Sequence, residues 1–63
     1  ASPADQARAR QLRATALRNM NSGAIDAAVD LLRQALQLDP GSRPIQNDLV
    51  RALRIQATLR ARP

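Results

Sequence analysis

Apolar positions along this chain recur every three to four residues in three stretches, separated by two short polar turn clusters. In the first stretch Ala9, Leu12, Ala16 and Met20 make one stripe, with Leu17 beside it, the period of an amphipathic helix. It opens on Ser2-Pro3-Ala4-Asp5: a serine N-cap, a proline at the first helical position and an acidic residue at the third. This predicts a helix over about residues 3–21, stopped by Asn21-Ser22-Gly23. The second stretch, about residues 24–38, turns Ile25, Ala28, Val29, Leu32, Ala35 and Leu36 to one side. Leu31 and Leu38 widen that face, so neighbours on both sides are expected. Asp39-Pro40 ends it, because the residue before a proline is pushed out of the α region. The third helix, about residues 43–61, starts after Ser42 with Pro44 in its first turn. It carries Ile45, Leu49, Ala52, Leu53 and Gln56 on its expected inner face, while Val50, Ile55, Ala57 and Leu59 fall elsewhere. Strand-type alternation of β-branched residues is absent, so the predicted fold is all-α, one domain of three helices.

Composition narrows the chemistry. Of 63 residues, 13 are Ala, 10 Arg and 9 Leu, and only 15 are large aliphatics, so the core is thin. A core of this size rarely supplies more than about 3–5 kcal/mol, and there is no cysteine to add a disulfide. His, Glu, Lys and Cys are all missing, which removes the usual general acids, bases and zinc ligands. A nucleophile would have to be Ser2, Ser22, Ser42, Thr15 or Thr58, with only aspartate as base. Asp26 and Asp30 are the only acidic pair at helical spacing and read as charge favoured by a helix N-terminus rather than as a hard-metal site. Gly23 and Gly41 are too few for a phosphate-cradling loop. The expectation is a protein with no catalytic residues, no cofactor and no metal. No apolar run reaches the ~20 residues of a membrane span, and no signal-peptide pattern is seen.

Charge is uneven. Residues 1–21 carry +3, residues 22–39 carry −2 and residues 40–63 carry +4, so the first and third helices are basic and the second acidic.

The run Gly23-x-Ile25-x-x-Ala28-x-x-x-Leu32-x-x-Ala35-Leu36-x-Leu38-Asp39-Pro40 resembles the second half of a tetratricopeptide repeat, a 34-residue helix–turn–helix unit. Gly23 permits the tight turn, Ala28 and Ala35 let helices approach closely, Leu32 fills the gap between them, and Pro40 closes the unit. Leu12 stands where the family usually has a large aromatic, and Ala16 stands at its small-residue contact; Thr15 and Asn19 depart from the usual Leu and Tyr. The matched unit covers about residues 9–42. The third helix then reads as the first helix of a next unit or as a cap, with Leu49 and Val50 at the expected contacts.

The resemblance implies a helix–turn–helix hairpin plus a third helix, a fragment of a right-handed α–α superhelix, serving as a non-catalytic protein-interaction scaffold. Such arrays bury a continuous core by stacking three or more units. One and a half units imply neighbouring units in a longer chain, or a homo-oligomer formed through Val50, Ile55 and Leu59. In the family the first helix of each unit lines a concave groove that holds an extended peptide, which here implies Arg10, Arg13, Leu17, Asn47, Arg51 and Arg54. Arginine binds carboxylates bidentately, so an acidic peptide or a free C-terminus is the matched partner. The family's clamp for C-terminal carboxylates needs Asn where Leu17 and Asp48 stand, so that subtype is not expected. Against the groove stands the plainer reading of these arginines as solvated faces. A second function class is binding to nucleic acid or an anionic surface, invited by ten arginines and a sequence pI near 11.8. It ranks lower because base stacking needs aromatics and because Asp30–Arg33 and Asp48–Arg51 are spaced to pair locally. A basic amphipathic helix on a membrane surface ranks lowest, since the apolar faces are committed to helix contacts.

Overall fold

The computed structural model describes residues 1–62. It is all-α: helix α1 spans Pro3–Asn21, α2 Ile25–Leu38 and α3 Arg43–Arg60. Each start and stop has a local cause. Ser2 Oγ accepts from Asp5 N at 3.1 Å, and Pro3 occupies the first turn, where its missing N–H costs nothing. Ser42 repeats the device for α3, its Oγ accepting from Ile45 N at 3.4 Å, with Pro44 in that first turn. At the end of α1, Ala24 N donates to Asn19 O at 2.8 Å and Gly23 N to Met20 O at 3.1 Å. That pair of bonds is the Schellman closure, and it places Gly23 at φ +88°, where a Cβ is strained. α2 has no side-chain cap, but Asp26 in its first turn complements the helix dipole.

α2 lies in the middle and packs along both neighbours, while α1 and α3 touch only lightly. Two bonds set the direction of α3: Gln46 Nε2 donates to Pro40 O at 2.8 Å near its start, and Gln56 Nε2 to Asp26 Oδ1 at 2.8 Å near its end. α3 therefore runs antiparallel to α2 and parallel to α1. The core holds Ala9, Leu12 and Ala16 from α1, Ile25, Ala28, Val29, Leu32 and Ala35 from α2, and Ile45 and Ala52 from α3. Five of these ten are alanines with no exposed surface, so the helices meet backbone-close along small-residue seams, and Leu32 is the largest side chain fully enclosed.

The inner face of α3 is the expected one, widened on one side: Leu49 and Leu53 are half-buried against the core and Gln56 is half-buried, while Asp48 and Ile55 are added to it. Ile45, Asp48 and Ala52 are its buried residues, and Ile55 is half-buried against the core. Ile55 is therefore not a surplus aliphatic free for self-association: it continues the 45–48–52 stripe one turn further and is half-buried against the core. Leu59 lies on the same stripe one turn beyond, past the level where Gln56 meets Asp26 at the start of α2, and it stays 47% exposed. Val50, on another side, is 48% exposed. Leu59, Ile25, Asp26, Gln56, Arg60 and Gly23 line an open depression of about 200 Å³ at this end.

Candidate functional site

α1 presents Arg10, Arg13 and Leu17 at spacings of three and four, hence on one face, and α3 does the same with Asn47, Arg51 and Arg54. The two faces meet at Asp48. Arg13 Nε donates to Asp48 Oδ2 at 2.5 Å across 35 residues of sequence. Arg51 Nη2 stands 3.6 Å from Asp48 Oδ1, one turn along the same helix. The Asp48 side chain is 11% exposed, against 38% for Arg13 and 61% for Arg51, so the carboxylate lies beneath two guanidiniums that reach solvent. Arg10 and Arg54 are exposed and form no ion pair among the described residues. Asn47 is exposed and Leu17 half-buried.

Since α1 and α3 run parallel with Arg13 level with Asp48, Arg10 and Arg54 lie at opposite ends of the cluster. At ~1.5 Å of rise per residue they are about 13 Å apart along the helix axes, the length of about four residues of extended peptide. The face is positive at both ends and partly neutralised in the middle. A ligand carboxylate brought to ~4 Å from Asp48 is repelled by about 4 kcal/mol at an effective dielectric of ~20, which offsets about half of its attraction to the two arginines at like distance.

The residues of the helical motif sit as follows. Leu12, Ala16, Ile25, Ala28, Leu32 and Ala35 are buried, Leu36 is half-buried, Gly23 makes the α1–α2 turn, and Pro40 is exposed just past α2. The i,i+3 pair Asp48–Arg51 forms, whereas no ion pair joins Asp30 and Arg33 among the described residues. The burial of Asp48 and its long-range partner are what sequence reasoning missed. The one local signal is spacing: Asp48 is three residues from Ile45 and four from Ala52, which puts it at the edge of the stripe and says nothing of Arg13.

No group of three or more metal-ligating side chains gathers among the described residues, and no described helix is long and apolar enough to cross a membrane. No protein-family model, curated protein or solved structure matches the chain.

Proposed function

We propose that this chain is a non-catalytic protein-interaction module of the tetratricopeptide type, binding an acidic segment of a partner protein along the face shared by α1 and α3. The observation that carries this reading is the placement of unpaired Arg10 and Arg54 at the two ends of the Arg13–Asp48–Arg51 cluster, on helices held rigidly by alanine seams. The fit in length to a short extended peptide supports it. The module also associates with a second copy through Val50 and Leu59, the two large apolar side chains left exposed.

Fluorescence anisotropy of a fluorescein-labelled Asp-rich decapeptide tests the groove. The double variant Arg10→Ala/Arg54→Ala is expected to weaken binding at least ~10-fold, about 1.4 kcal/mol, with helicity unchanged. Unaltered affinity would remove the groove. The net charge of +5 keeps a second reading, nucleic-acid binding, in play. A labelled single-stranded oligonucleotide bound at ~50 mM salt, with a steep log–log loss of affinity as salt rises, would favour it over the peptide.

A further inference from the structure

Asp48 is the one buried charged side chain of the described residues, and both guanidiniums beside it belong to the face proposed to take an acidic peptide. A single carboxylate thus already sits between arginines from two helices, one donating through Nε and the other within ion-pair distance. That is the place a ligand carboxylate would take. The arginines reach solvent on long flexible stems while the Asp48 side chain is only 11% exposed, so a ligand arrives over the guanidiniums and competes for them with a carboxylate in a partly dry site.

We infer that Asp48 is an autoinhibitory counter-ion: it holds Arg13 and Arg51 in the free protein, and an acidic peptide engages them in competition with it. The inference rests on the acidic-peptide reading and adds the residue that sets its threshold. The negative charge of Asp48 weakens the hold on an isolated carboxylate, and segments with several carboxylates, which also engage Arg10 and Arg54, are favoured.

The test compares anisotropy of the fluorescein-labelled Asp-rich decapeptide on wild type, Asp48→Asn, Asp30→Asn and Asp48→Asn/Arg13→Gln, with helicity recorded for each. Asp30→Asn makes the same change of charge on the exposed side of α2 and sets the baseline. Asp48→Asn is expected to bind at least ~10-fold tighter than Asp30→Asn, and adding Arg13→Gln to abolish that gain. Equal affinities of folded Asp48→Asn and Asp30→Asn, or a gain that survives Arg13→Gln, would overturn the inference. Should Asp48→Asn lose its helicity, the Arg13 Nε–Hε NMR resonance of the wild type decides. A large shift at peptide saturation supports displacement from Asp48, and an unmoved resonance refutes it. Peptide binding that depends on Arg10 and Arg54 without any gain in Asp48→Asn removes the inference alone. No binding by any folded variant removes the groove as well.

Discussion

At the scale of single residues, the energetics concentrate where a charge was placed on an otherwise apolar stripe. The Arg13–Asp48 pair lies between the exposed and fully buried cases, so its coupling falls between the ~0.2–1 kcal/mol of surface pairs and the ~3–5 kcal/mol lost on breaking buried ones. The two truncations are not equivalent. Arg13→Ala strands a buried carboxylate with only Arg51 at 3.6 Å, and is expected to cost about 1–3 kcal/mol. Asp48→Ala leaves two arginines able to straighten into water, and is expected to cost about 1 kcal/mol or less. Urea unfolding of both single variants and the double variant measures the order and the coupling. The reverse order would mean that Asp48 holds the helices by more than its charge.

At the scale of elements, the turn between α1 and α2 and the turn between α2 and α3 each contain one glycine, and only one of them needs it. Gly23 sits at φ +88° with open space around its Cα, so a side chain there meets no neighbour and still strains the backbone. Gly23→Ala is expected to cost about 1–2 kcal/mol through that strain. Gly41 has the same open surroundings without the positive φ, so Gly41→Ala is expected to be neutral or to stabilise by about 0.4–1 kcal/mol through a stiffer unfolded chain. Thermal melts of the two variants check the contrast; a larger loss at Gly41 would contradict backbone strain at φ +88° as the reason for Gly23. The capping serines and first-turn prolines of α1 and α3 act as the same kind of local instruction.

At the scale of the whole molecule, the three helices form an elongated body. The radius of gyration is 11.8 Å, against about 10.6 Å for a compact globule of this length, and the extents are 44 × 19 × 13 Å. A small body with half of its core residues alanine buries little apolar surface, which favours association as the way to bury more. The basic third helix, +4 over residues 40–63, complements the acidic second helix of another copy, −2 over residues 22–39, and repels another first helix at +3. Light scattering at millimolar concentration is therefore expected to show a dimer or larger species for wild type, and a monomer for Val50→Asp/Leu59→Asp. A wild-type monomer that melts cooperatively would contradict this.

The number and type of the elements, and the residues that start and stop them, were legible in the amino-acid order. Serine caps, prolines in first turns, a glycine at a helix end and a 3.6-residue apolar period act within a few neighbours and need no partner. The alanine positions of α2 were legible for the same reason, since a face that is small and apolar has few uses other than contact. The roles of Asp48 and Ile55 were not. Whether a side chain at the edge of a stripe is buried depends on the angle at which the next helix arrives, and that angle follows from packing across the whole assembly. An aspartate reads as surface until a guanidinium 35 positions away is seen to meet it. Tertiary structure alone joined Arg13 to Asp48, and so decided which charges of the candidate face are free and which are already held.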